Sequence, residues 1–119
     1  MKANLITLLT EAQNTHWGFS YNINTGDVNP KRGFMASVKG YELKVPDESN
    51  LFEVGIEYVK NNAHKLMEKG MYLGLWFDDG YAYFDVSRNF NTMTRAMKFA
   101  RENEQLAIWD CKRNEGLSL

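Results

Sequence analysis

Asp85 is the residue of this 119-residue chain whose position points most directly to chemistry. It stands in Phe84-Asp85-Val86-Ser87, a run with strand character. Aspartate is depleted in mid-strand, so a carboxylate there calls for a hydrogen-bonding neighbour or a ligand. Period-two alternation puts Asp85 on one face with Tyr83 and Ser87. A bend at Asp79-Gly80, suited to a type I′ turn, carries that face across to Tyr72, Gly74 and Trp76. Gly74 opposite Asp85 leaves a dent beside the carboxylate. Aromatic rings offer large, stiff contact area at low entropic cost, so Tyr72, Gly74, Trp76, Tyr83 and Asp85 form a candidate recognition surface. The alternative is that the first helix or a second copy covers the face and the rings are core.

A second candidate surface is basic. Arg95, Lys98 and Arg101 step by three along a helical segment and form a drifting stripe, with Arg88 before it and Lys112 and Arg113 beyond the last strand. Single-stranded nucleic acid stacks on aromatic sheet faces, but such sites come with a basic groove, and neither a glycine-rich phosphate loop nor an RNA-binding motif is present. A solvated helix face, or one read by an acidic partner protein, fits the stripe better.

The remaining reactive types lack the spacing that catalysis or metal binding needs. His16 and His64 are far apart and lack the helical zinc spacing of two histidines. Ser87 lacks the Gly-x-Ser-x-Gly elbow. Cys111 beside Lys112, whose charge could lower the thiol pKa, has no cysteine-protease surroundings. Turn chemistry accounts for Asp78 and Asp79, and no calcium-loop motif is present. The sequence therefore assigns no catalytic residue, no metal ligand and no cofactor. An enzyme would require Asp85, Asp110 and His16 to converge within hydrogen-bond reach.

The elements that must position these residues follow from periodicity. Leu5, Leu8, Leu9 and Ala12 mark one face of a first helix over residues 3–14. Trp17, Phe19, Tyr21 and Ile23 share one side of a strand that stops at Asn24-Thr25-Gly26-Asp27. Gly33 to Val45 reads as a hairpin about Lys39-Gly40, with Phe34, Ala36 and Val38 beside Val45, Leu43 and Tyr41. Pro46-Asp47-Glu48-Ser49 offers an N-cap for a second helix, about residues 50–69, that turns Phe52, Ile56, Val59, Ala63 and Leu66 inward.

Residues 71–78 pair with 81–88, placing Leu73, Leu75 and Phe77 beside Val86, Phe84 and Ala82. Asn91 or Thr92 caps a third helix with Met93, Ala96, Met97 and Ala100 inward, and Leu106 to Asp110 is the last strand. The expected fold is a single α+β domain over residues 1–119. It has a mainly antiparallel sheet of about six strands and three helices on its apolar face, in the order α-βββ-α-ββ-α-β.

Composition fits that reading, with 44% hydrophobic and 24% charged residues. The formal charge of -1 provides no global attraction to nucleic acid or anionic membrane. No apolar run approaches the ~18 residues of a membrane span, and polar Thr7, Thr10 and Glu11 break up any signal-peptide apolar run, which disfavours a secretory reading. A single cysteine suits a reducing, cytoplasmic setting.

The stretches Tyr72-Leu73-Gly74-Leu75-Trp76, Tyr83-Phe84-Asp85-Val86-Ser87 and Gln105-Leu106-Ala107-Ile108-Trp109-Asp110 resemble a pattern in small accessory proteins of bacteriophages and other mobile elements. That resemblance implies a host-cytoplasm setting and, by analogy with anti-CRISPR and other anti-defence proteins, a factor that binds and blocks a host machine. It implies no activity for any residue. The leading expectation is a non-enzymatic protein-binding factor. A small-molecule-binding or sequestering protein, with its pocket at Gly74, is the first alternative. The others are a small enzyme and a nucleic-acid binder. An aromatic face left open by its own helices could also pair two copies across a two-fold axis.

Overall fold

The structure, a computed structural model, describes residues 4–119. Its centre is the hairpin of β4 (Met71–Asp78) and β5 (Tyr81–Phe90) about Asp79-Gly80. Both bend residues have positive φ, 48° and 82°, as a type I′ turn requires. The register is the expected one, with Leu73 opposite Val86, Leu75 opposite Phe84 and Phe77 opposite Ala82 on one face. Tyr72, Gly74 and Trp76 lie opposite Ser87, Asp85 and Tyr83 on the other.

The bend also fixes which way each backbone group points. A two-residue bend is closed by a hydrogen-bonded pair, here Asp78 and Tyr81, so odd-numbered β5 residues direct their N–H and C=O toward β4. Even-numbered ones turn to the other side. The bonds from Val38 N to Val86 O (2.8 Å) and from Asp47 N to Gly80 O (3.0 Å) obey that rule.

On that other side the expected Gly33–Val45 hairpin does not form. β2 (Phe34–Ser37) and β3 (Leu43–Pro46) both run antiparallel to β5, one after the other, and do not pair with each other. Phe34 to Ser37 face Phe90 to Ser87, and Leu43 to Pro46 face Phe84 to Tyr81. Residues 39–42 loop out opposite Asp85. Lys39-Gly40 is thus an excursion from an interrupted strand. The alternating segments 34–38 and 43–45 both seek the β5 edge, which is long enough to take them in series.

Among the described residues the sheet has seven strands in the order β1-β4-β5-β2-β6-β7, with β3 on β5. β1 (Phe19–Tyr21) flanks β4, and β6 (Ala107–Asp110) pairs with β2. β7 (Glu115–Ser118) folds back on β6 and adds a strand beyond the expected six. Its Glu-Gly-Leu-Ser sequence has one apolar residue, Leu117, and so lacks a visible alternation.

α1 (Leu5–Thr15) is capped by Asn4, whose side chain accepts from Thr7 N, and it buries Leu9 and Ala12. Residue 3, the expected start, lies outside the described residues. α2 (Leu51–Leu66) is capped by Asn50 and not by the preceding Pro46–Ser49 segment. It buries Leu51, Gly55, Tyr58 and Leu66, whereas Phe52, expected inward, is exposed and Ile56, Val59 and Ala63 are half-buried. Gly55 causes the rotation. A Cβ there would lie 2.6 Å from Leu9 Cδ2, so α2 turns its smallest residue to α1 for close approach.

α3 (Met93–Glu102) is capped by Thr92 and buries Ala96 and Ala100, with Met97 half-buried and Met93, expected inward, exposed. The first core joins α1 and α2 to Leu73, Leu75, Ala82, Phe84 and Val86. A second joins α3 to Ala36, Phe90 and Ile108. Strand register places both sets on the same sheet face, so all three helices cover one side. No described helix is long and apolar enough to cross a membrane.

Candidate functional site

The face opposite the helices holds the expected residues. Trp76 and Tyr83 are cross-strand neighbours whose rings stack with centroids 3.9 Å apart and planes 6° from parallel. Trp76 remains 41% exposed. Its indole Nε1 donates to Asp85 Oδ2 (3.4 Å), so the carboxylate fixes the ring's orientation. Lys44 on β3 sits 4.1 Å from the Tyr81 ring centroid and 5.7 Å from that of Tyr83, and extends the platform with a cation.

Asp85 is the buried centre of this arrangement, 8% exposed. Ser37 Oγ donates to Oδ2 (3.1 Å), Ser87 Oγ donates to Oδ1 (3.4 Å), and the two serine oxygens lie 3.2 Å apart. Among the described residues no cation pairs with the carboxyl. Burial pushes its pKa above the ordinary aspartate range, the charge of Glu42 adds to that rise, and the Ser37, Trp76 and Ser87 donors oppose it. Gly74 is required here, since a Cβ at that position would overlap Asp85 Oδ1. The dent expected at Gly74 is therefore filled by the carboxylate itself.

Open space lies instead on the other side of Asp85, where residues 39–42 leave the sheet. A cleft of about 440 Å³ is lined there by Ser37, Lys39, Glu42 and Asp85, with Asn103, Glu104 and Gln105 from the segment after α3. Asn103 Oδ1 accepts from Lys39 N (3.0 Å), and Lys39 pairs with Glu104, so the two walls are tied together.

Tyr72 is 9% exposed, so it does not contribute open surface. Arg95, Lys98 and Arg101 are exposed on α3, across the sheet from Trp76, and the two candidate surfaces do not merge. His16 stacks on Phe77 (4.9 Å) and lies 3.7 Å from Asp47. Asp110 Oδ1 accepts from the backbone N–H groups of Lys112 and Arg113 in the β6–β7 turn. With Asp85 engaged elsewhere, these three residues have separate partners and form no catalytic constellation. Cys111 accepts from Asn89 Nδ2 (3.7 Å), and burial, with the Asp110 charge, raises its pKa rather than lowering it. Among the described residues no cluster of three or more His, Cys, Asp or Glu side chains could hold a metal ion.

Sequence reasoning misplaced Trp17 and missed the role of Glu42. Trp17, expected on the apolar side of the first strand, is 78% exposed, because the strand begins only at Phe19. The signal was Gly18, where a side chain would collide with the Leu75 carbonyl. Glu42, to which the expected hairpin gave no role, lines the cleft. No family model, curated protein or solved structure matches the chain.

Proposed function

We propose that the chain is a non-enzymatic protein-binding factor that engages its partner through the helix-free sheet face. The supporting observation is the half-exposed Trp76, held against Tyr83 and anchored to the buried carboxylate of Asp85. A ring fixed in advance loses little entropy on binding, and such anchored aromatics act as hot spots. The surrounding polar groups stabilise the ring and offer no acid, base and nucleophile in sequence. An accessory factor of a mobile element, blocking a host defence machine in the cytoplasm, is the setting that the resemblance of residues 72–110 suggests. The stacked rings and the α3 cations lie on opposite faces, which argues against a nucleic-acid groove combining the two.

The test is affinity capture from host lysate with in-cell crosslinking, comparing wild type with Trp76→Ala and with Arg95→Ala. A partner recovered by wild type and Arg95→Ala but lost with Trp76→Ala is expected. Equal recovery by all three forms would sink the proposal. The cleft beside Asp85 favours a second reading, a small-molecule-binding protein. A bound compound seen by native mass spectrometry, and lost with Glu42→Gln, is the result that reading needs.

A further inference from the structure

A second groove runs along the opposite side of the sheet edge, between β3 and α2. It measures about 510 Å³ and is lined by Leu43, Val45, Val54 and Tyr58, with Glu53 and Glu57 on its helical rim. β3 pairs with β5 alone among the described residues, so its outer edge is open. The alternation set by the Asp79-Gly80 bend decides what that edge presents. Leu43 and Val45 turn their backbone groups inward to Phe84 and Ala82, which leaves Lys44 with both N–H and C=O outward. Pro46 has no N–H to offer, so it limits pairing to a short stretch and blunts open-ended strand addition. The Lys44 side chain is drawn to the other face by Tyr81 and does not obstruct the edge.

We infer that this groove docks a short extended segment of a partner protein, one carrying an apolar residue and, two positions away, a lysine or arginine. The segment adds a strand to β3 through Lys44, as in recognition by strand addition. Its same-face side chains recur every second residue. One enters the apolar floor between Val45, Val54 and Tyr58, and the next reaches the rim carboxylates. Glu53 and Glu57 are exposed, and neither forms an ion pair among the described residues, so the rim selects a cation. The site is distinct from the Trp76 face, which lies on the other side of the sheet.

A displayed library of random linear peptides, selected on the intact chain, tests this, with the enriched sequence then synthesised for titration calorimetry. Enriched sequences are expected to pair an apolar residue with Lys or Arg two positions away. Binding should fall about 10-fold with Glu57→Lys and about 10-fold with Lys44→Pro, which removes the outward N–H, but less than about 3-fold with Lys44→Ala, which keeps it. Should Lys44→Pro unfold, Glu57→Lys and Glu53→Lys decide, since both replace exposed side chains. No enrichment over an unrelated control protein would overturn the inference, as would binding indifferent to Glu57→Lys. Peptides lost with Trp76→Ala instead would assign the binding to the other face.

Discussion

The two faces of the β4–β5 ladder use the same alternation for opposite ends. On the helix side Leu73, Leu75, Ala82, Phe84 and Val86 are sealed, and their stability comes from filled volume. On the ring side Trp76 and Tyr83 stand on a scaffold of hydrogen bonds from Ser37, Ser87 and the indole to one carboxyl. A packed face tolerates little change in size. A polar face tolerates little change in partners, yet leaves its outermost ring available to another molecule.

Mutations can break that contrast. Phe84→Ala should have the largest effect, since the ring is fully buried and stacks on Tyr58, and a loss of about 3–5 kcal/mol is expected in urea denaturation. Gly74→Ala should cost less, about 1–3 kcal/mol, by forcing a methyl against Asp85 Oδ1. Combined with Asp85→Ala, that penalty should shrink by about 1 kcal/mol or more; strictly additive costs would show that the carboxylate does not set the size limit at Gly74.

The pH dependence sharpens the contrast further. Because the folded chain holds the Asp85 proton more tightly than the unfolded chain, its contribution is fully present below the ordinary aspartate range. It is lost as pH rises through the higher folded value. Asp85→Asn, neutral at every pH, should therefore gain stability relative to wild type across that rise. Parallel stability profiles for the two forms would remove the buried carboxyl as the cause. The smallest effect belongs to the α3 surface, where Arg95→Ala should shift stability by no more than about 0.5 kcal/mol.

The central hairpin was legible because two local signals agree, a bend that demands positive φ and eight residues on either side whose apolar sets match in only one register. The Asp85 neighbourhood was half legible. Mid-strand aspartate announced a hydrogen-bonded group, and Gly74 opposite it was recognised as space, but the space is taken by the carboxylate. Ser37, its closest donor, comes from a strand that was read as pairing with residues 41–45 and pairs instead with β5. Turn residues at Lys39-Gly40 look the same whether a chain reverses or merely detours, and the choice depends on the length of β5. Helix α2 was placed correctly and rotated wrongly, since a hydrophobic stripe does not register a glycine chosen for close approach to Leu9.

The detour at residues 39–42 separates two design problems that most sheets must solve together. Its ends are fixed by pairing to Val86 and Phe84, while Gly40 at its tip has empty space around it. Lengthening or shortening the chain at that tip would leave the alignment of the flanking strands unchanged. The depth of the hollow beside Asp85 is therefore set at Gly40, while Tyr41, which packs on the first core and accepts from the Tyr58 hydroxyl, anchors the far side of the detour.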